Sequence, residues 1–163
     1  MLPTIHDIDQ QHGVATFDRL LLQVWRGECT ARALTGLGEV GRELLARHAG
    51  RTCCSLSVIE SRSPPPGERV RPLLSAVYRE LAPGMRHQLF VAEGSGFRAA
   101  LVRGVGLAVS ALAPSLLPFK FAGSVEEAAQ IIAPDLSPEA GGVAGIIAAL
   151  AVLRGKLDAL TVT

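Results

Sequence analysis

Aromatic residues, lysine and net charge are all scarce in this chain of 163 residues. Phe, Tyr and Trp make up 4% of the sequence, only two of the 16 basic residues are lysine, and 15 acidic residues leave a formal charge of +1. So small a net charge supplies no field that would draw the chain to nucleic acid or to an anionic membrane. Arginines are enriched over residues 19–103, but they are dispersed and lack interleaved aromatic rings. We therefore predict a solvated surface there, and no nucleic-acid partner.

Cysteine is also sparse, since the chain has only Cys29, Cys53 and Cys54. An odd number with two adjacent members is not a disulfide framework, and no C-x-x-C pair or clustered histidine indicates a metal site. In a strand, Cys53 and Cys54 would point to opposite faces. We predict that all three are small buried hydrophobic residues in a reducing compartment, with no metal or other cofactor. A redox or nucleophilic thiol is the alternative.

Long uninterrupted apolar runs are missing as well. Residues 99–119 are interrupted by Arg103 and Pro114, and the apolar run over 141–153 has only thirteen residues, short of the ~20 that a membrane span needs. The first residues lack the basic and apolar regions of a secretory signal. We expect no membrane span and a cytoplasmic location, and the preference for Arg, Ala and Gly is typical of a GC-rich bacterial genome.

Strand-like and helix-like patterns alternate along most of the chain. In chain order they predict two antiparallel strands within 14–26, a helix over 31–48, a strand over 52–59, a helix over 70–82, a strand over 87–92, a helix over 97–113, a strand over 119–122, a helix over 124–133 and a helix over 137–158. Strands joined through helices form right-handed parallel crossovers. The pattern therefore predicts an α/β fold with a mixed, largely parallel sheet of about five strands.

The domain organisation follows from the same pattern. Residues 13–134 form one predicted α/β domain, which a loosely ordered segment over 1–12 precedes. An additional apolar helix over 137–160 follows the domain. Within the domain, Thr30 is placed to cap the first helix, and the S-x-x-E spacing of Ser124 and Glu127 is a capping box that opens a later one.

The last helix has hardly any polar face. Its apolar residues include Val143, Ile146, Ile147, Leu150, Val152 and Leu153. A helix that is apolar on most sides must be covered on most sides. We predict that the chain forms a homodimer through Val143, Ile146, Ile147, Leu150 and Leu153. Packing of this helix on the sheet of its own chain is the alternative.

One short segment has the composition of a ligand-binding turn. Gly94, Ser95, Gly96 and Phe97 follow a predicted strand and open a predicted helix, where parallel sheets bind ligands. Glu93 would repel a phosphate there, and no complete phosphate-binding motif is present. A tight turn with a serine cap explains the same residues without any ligand, and both interpretations stay open.

Five stretches carry a resemblance to a known family. They are LLLQVWRGECT, ARALTGLGEVGRELL, TCCSLSVIE, QLFVAEG and PFKFAGSVEEAAQII. Together with the order of elements over residues 14–133, they resemble the STAS (anti-sigma-factor-antagonist-like) domain and the related STAS/SEC14-like proteins. The resemblance implies a non-catalytic regulatory or scaffolding module that binds protein partners, and its SEC14-like branch implies a lipid or anion carrier.

The chain departs from the regulatory members of that family at their phosphorylation motif. No D-S-S-G sequence occurs, and the corresponding region reads ESRSPPPGER, where Ser61 and Ser63 are the nearest candidate phosphorylation sites. We expect the triple proline to form a rigid loop, with a polyproline ligand as the alternative. A non-catalytic partner-binding domain is thus our first hypothesis, a small-molecule-binding protein the second, and an enzyme that uses Cys53 or Cys54 the last.

Overall fold

Six strands form a single sheet in the computed structural model, which describes residues 1–94 and 119–161. They lie side by side in chain order as β1 (Thr4–Ile8), β2 (His12–Phe17), β3 (Leu20–Trp25), β4 (Cys53–Ile59), β5 (Met85–Ala92) and β6 (Lys120–Ala122). The β1/β2 and β2/β3 pairs are antiparallel, and the pairs from β3 to β6 are parallel. The prediction of a mixed, largely parallel α/β sheet is confirmed.

The sixth strand comes from the segment that was expected to be loosely ordered. Residues Thr4–Ile8 pair with β2 as an edge strand, with a register shift between Ile5 and Asp7. Ile5 and Ile8 pack partly buried against the apolar core of one sheet face. The sequence showed no strand pattern here because Asp7 and Asp9 interrupt the apolar residues. The expectation for 1–12 is therefore wrong.

Four helices in the described residues pack on this sheet. They are α1 (Ala31–Arg47), α2 (Arg71–Leu81), α3 (Val125–Ile132) and α4 (Gly142–Thr161), with short 3-10 turns at Ala82–Gly84, Ala133–Asp135 and Pro138–Ala140. The predicted caps are present, since Thr30 accepts from the Ala33 amide and Ser124 from the Glu127 amide. The helix predicted over 97–113 lies outside the described residues.

The helices form one layer on each face of the sheet. One apolar core joins the sheet to α1 and α2 through residues such as Leu34, Leu37 and Tyr78. The other joins it to α3 and α4 through residues such as Ile132 and Leu153. Cys53 belongs to the first core and Cys54 to the second, as alternation along a strand predicts.

The apolar helix α4 packs on the sheet of its own chain. Ile146, Leu150 and Leu153 are buried, while Val143 and Ile147 pack partly buried against the same core. All five residues predicted for self-association therefore contact their own chain, as the alternative interpretation required. Among the described residues, no helix is both long and apolar enough to span a membrane.

Candidate functional site

A row of charged residues crosses the carboxyl edge of the sheet. Arg26, Glu60 and Glu93 directly follow β3, β4 and β5. The sheet ladder extends one step into this row, because the Glu60 amide donates to the Trp25 carbonyl at 2.8 Å and the Glu93 amide to the Ile59 carbonyl at 2.8 Å. The three side chains are therefore held next to one another at the edge where parallel sheets bind ligands.

Helix α4 adds two residues of opposite charge to this row. Arg26 donates from Nε to Glu60 Oε2 at 2.7 Å and forms an ion pair with Asp158 at 2.9 Å. Its pKa is above the usual range, chiefly because of the hydrogen bond to Glu60. Arg154 donates from Nη2 to Glu93 Oε1 at 2.6 Å. These contacts fasten α4 to the ends of three strands.

A cleft opens beside the Arg154–Glu93 pair, between the end of β5, the start of α3 and the middle of α4. Its volume is about 520 Å³. We call it the carboxyl-edge cleft and define it by three apolar and three charged lining residues, namely Val91, Ile147, Leu150, Glu93, Glu126 and Arg154. A volume of several hundred Å³ with an apolar floor and a few charged groups is typical of a small-molecule site.

A second cleft of about 550 Å³ lies on the other side of the same ion pair. Its lining is more polar and includes Gln10, Arg26, Glu60 and Arg62. Glu93 borders both clefts, so the Arg154–Glu93 pair separates them. Of these two clefts, the first combines charged groups with the side chains of buried apolar residues, and the second does not.

The predicted ligand-binding turn meets this site at one residue. Gly94 lines the carboxyl-edge cleft and has a left-handed backbone with φ of 86°. A β-carbon at Gly94 would lie 2.9 Å from Ser61 Cβ, so glycine allows the ends of β4 and β5 to approach closely. Ser95, Gly96 and Phe97 lie outside the described residues. The sequence did not single out Glu60, Glu93 or Arg154 as partners, although two of them directly follow apolar strands.

The two candidate phosphorylation sites occupy different environments. Ser63 is buried and donates from Oγ to the Gly27 carbonyl at 2.8 Å. Ser61 is exposed and lines the second cleft. A kinase would therefore reach Ser61 in the folded chain, but not Ser63.

The three cysteines are free and buried. Burial raises the pKa of Cys29 and of Cys54 to about 12 each, and it also raises the pKa of Cys53. Because the thiolate is the reactive form, these thiols are poor nucleophiles in the folded chain. None of them lines either of the two clefts.

A second charged cluster, which we call the His12 cluster, lies where β1 meets β2. It contains Asp7, Asp9, His12 and Arg32, with the His12 ring stacked on Trp25. Sequence reasoning missed it, because it found no clustered histidine. The D-x-D-x-x-H spacing of residues 7, 9 and 12 was the available signal. In the described part of the chain, no group of three or more His, Cys, Asp or Glu residues is arranged to hold a metal ion.

Comparison with known proteins does not identify the chain. No protein-family model, no curated protein and no solved structure matches it. The STAS resemblance therefore stays a prediction, and the functional proposal depends on the geometry of the site.

Proposed function

We propose that this chain is a non-catalytic binding domain that holds a small organic ligand in the carboxyl-edge cleft. The observation that carries the proposal is the cleft of about 520 Å³, with its apolar floor and charged rim at the carboxyl edge of the sheet. The buried cysteines with raised pKa values support a role without chemistry. The hydrogen bond between Arg154 and Glu93 supports the same non-catalytic role.

The lining indicates the chemistry of the ligand. Val91, Ile147 and Leu150 offer an apolar surface, which favours an apolar body. Glu93 and Glu126 on the rim disfavour a multiply charged anion such as free phosphate. Arg154 offers a guanidinium beside these carboxylates, so a neutral or zwitterionic head group fits the rim better. The ligand class is therefore a small amphiphile.

The experiment combines native mass spectrometry of the purified chain with thermal shift, using a short-chain zwitterionic amphiphile as the probe. Ala151 is exposed on α4 and lines the cleft. The variant Ala151→Phe should therefore fill the cleft and abolish the rise in melting temperature that the probe causes. Ala46→Phe, at an exposed position of α1 on the other face of the sheet, is the matched control and should keep it. A probe that binds both variants equally, or no bound molecule and no shift in the unaltered chain, refutes the proposal.

A second candidate function is the partner-binding, regulatory role of STAS type in the bacterial cytoplasm. The loop that follows β4 favours it, because this loop is exposed at Arg62, Pro64 and Arg69 yet anchored from within. Its anchors are the Ser63–Gly27 bond and the bond of 3.0 Å from Arg71 Nε to the Pro66 carbonyl. A loop that is already ordered loses little entropy when it binds a partner.

The proposed cytoplasmic location has separate support, because three free cysteines suit a reducing compartment.

Affinity capture with matched variants tests this second candidate. Arg62→Glu and Arg69→Glu reverse charges on the loop and should lose a stoichiometric partner. Arg51→Glu reverses an exposed charge at the opposite edge of the sheet and should retain it. A partner that all three variants capture equally would contradict docking through the loop.

Self-association through α4 remains part of the proposal, with a changed surface. Because the predicted residues face their own sheet, two chains would pair through the outward side, where Ala144, Ala148 and Val152 are exposed. A two-fold pair is the commonest oligomer. Light scattering after size exclusion at tens of micromolar should show a dimer that Val152→Glu dissociates and that Thr35→Glu on α1 leaves intact. A monomeric unaltered chain ends this proposal.

A further inference from the structure

The two clefts at the carboxyl edge of the sheet share one side chain, that of Glu93. Arg154 donates to this carboxylate at 2.6 Å, and the ion pair is the partition between the clefts. Both side chains are partly exposed, 30% for Arg154 and 35% for Glu93. The partition therefore reaches the surface, and a ligand that lies in one cleft can extend over its exposed side into the other.

The carboxyl-edge cleft carries an excess of negative charge. Among the described residues that line it, Arg154 is the one cation, and it is paired with Glu93. Glu126 also lines this cleft, is exposed, and forms no ion pair with any residue that the structure describes. One carboxylate is thus left without a counter-charge, and it favours a cationic group in this cleft over an anionic one.

The start of helix α3 does not reverse this preference. Free amide groups at a helix start can hold an anion, but here the side chains of the same segment already accept from them. Ser124 Oγ accepts from the Glu127 amide at 3.1 Å, and Glu127 Oε2 accepts from the Gly123 amide at 2.6 Å. Glu126 and Glu127 also place two acidic residues in the first turn. An anion is therefore disfavoured at this end of the helix.

The second cleft carries the opposite excess. The carboxylates among its described lining residues, Glu60 and Glu93, are each bound by an arginine. Arg62 lines the same cleft, is exposed, and has no hydrogen bond or ion pair within residues 1–94 and 119–161. Its neighbour Ser61 adds an exposed hydroxyl. A free guanidinium beside a hydroxyl favours an anionic group with several oxygen atoms.

We propose that the two clefts together bind one zwitterionic amphiphile with a defined order of charges, in which the cationic centre lies next to the apolar body and the anionic group at the outer end. The body lies on the apolar floor of the carboxyl-edge cleft, the cationic centre lies beside Glu126, and the anionic group binds Arg62 and Ser61. This inference rests on the proposed function. It adds the second cleft as a head-group site and Arg62 as the residue that selects the head group.

A head group with the reverse order of charges is disfavoured by the same side chains. An alkyl phosphocholine has its phosphate next to the chain and its ammonium at the outer end. It would place the anion beside Glu126 and the cation beside Arg62, and both contacts are repulsive. Since both side chains are exposed, solvent and salt screen these interactions, and we expect a preference of about tenfold rather than complete discrimination.

Isothermal titration calorimetry of the full chain at low salt tests the order of charges. The probes are octyl sulfobetaine, with an inner ammonium and an outer sulfonate, octyl phosphocholine, with the reverse order, and octyltrimethylammonium, with the cation alone, all below their micelle concentrations. Octyl sulfobetaine should bind about tenfold more tightly than octyl phosphocholine, and the difference should shrink as salt is added. Equal affinities at low salt would overturn the inference.

Two charge-neutralising variants assign the two head-group contacts. Arg62→Gln should weaken octyl sulfobetaine about tenfold and leave octyltrimethylammonium unchanged, whereas Glu126→Gln should weaken both about tenfold. Arg69→Gln, exposed on the same loop but outside both clefts, and Glu43→Gln, exposed on α1, are the matched controls and should change neither affinity. If Arg62→Gln binds octyl sulfobetaine as tightly as the unaltered chain does, the second cleft is not the head-group site.

The variant Ala151→Phe distinguishes failure of this inference from failure of the proposed function. Suppose that this variant abolishes binding of all three octyl probes, while the unaltered chain binds octyl sulfobetaine and octyl phosphocholine equally. The carboxyl-edge cleft is then the binding site, and the order of charges is wrong. If the unaltered chain binds none of the three probes, the proposed function and this inference both fail.

Discussion

Leu153 of α4 lies directly against Gly13 of β2, so that a β-carbon on Gly13 would lie 2.9 Å from Leu153 Cδ1. The same carbon would lie 3.4 Å from Leu157 Cδ1. Both leucines are fully buried. The absence of a side chain at Gly13 is thus what lets α4 pack closely on the sheet.

This contact gives a double-mutant test of the packing of α4. We expect Leu153→Ala to lower the free energy of unfolding by about 2–5 kcal/mol, because it leaves a cavity, and Gly13→Ala to lower it by about 1–3 kcal/mol through overpacking. Combined, they should cost less than the sum, since the new methyl fills part of the cavity. Urea denaturation measures all three. Thr35→Ala, at an exposed position of α1, should change stability by no more than about 0.5 kcal/mol.

Substitution by aspartate should affect stability at Ser63 but not at Ser61. Ser63→Asp replaces a buried donor with a carboxylate that faces the Gly27 carbonyl, so we expect a loss of at least about 2 kcal/mol in stability. Ser61→Asp changes an exposed side chain and should leave the melting temperature nearly unchanged. Equal melting temperatures for the two variants would contradict the buried position of Ser63.

The cysteines should react only slowly with thiol reagents until the chain unfolds. At about pH 8 we expect slow labelling of the native protein and rapid labelling of three thiols in denaturant, as counted by mass spectrometry. Burial raises the pKa of Cys29 and Cys54 from 9.0 to about 12. Their contribution to stability is therefore complete below about pH 9 and lost as pH rises toward 12. A thiol that reacts quickly in the native chain would revive the cysteine-enzyme hypothesis.

A buried polar network between β3, β4 and α2 should be sensitive to the loss of one hydroxyl. Gln23 Oε1 accepts from Tyr78 and, at 2.6 Å, from Ser57, while Gln23 Nε2 donates to Ser55 at 2.8 Å. We expect Tyr78→Phe to cost about 1–2 kcal/mol, and Gln23→Leu to cost more because it leaves several buried hydroxyls unsatisfied. Urea denaturation of both variants decides whether Gln23 is the centre of the network.

The sequence anticipated local features and missed relations between distant residues. The caps at Thr30 and Ser124 could be predicted because each involves residues three positions apart. The pairing of Arg154 with Glu93 spans 61 positions along the chain, and no local pattern encodes it. The His12 cluster is intermediate, since its carboxylates are near in sequence but its arginine comes from α1.

By itself, the sequence determined the α/β class, the succession of strands β2 to β6 along the chain and the burial of the cysteines, because periodicity and breaker residues act over a few neighbouring positions. Only the tertiary structure decided that residues 4–8 join the sheet and that α4 covers its own sheet. The neighbouring sequence does not show which residues bury Ile5, Ile8 and Leu153. The surface that buries them exists only once the sheet has formed. The same holds for the carboxyl-edge cleft, which the end of β5, the start of α3 and the middle of α4 form only when they pack together.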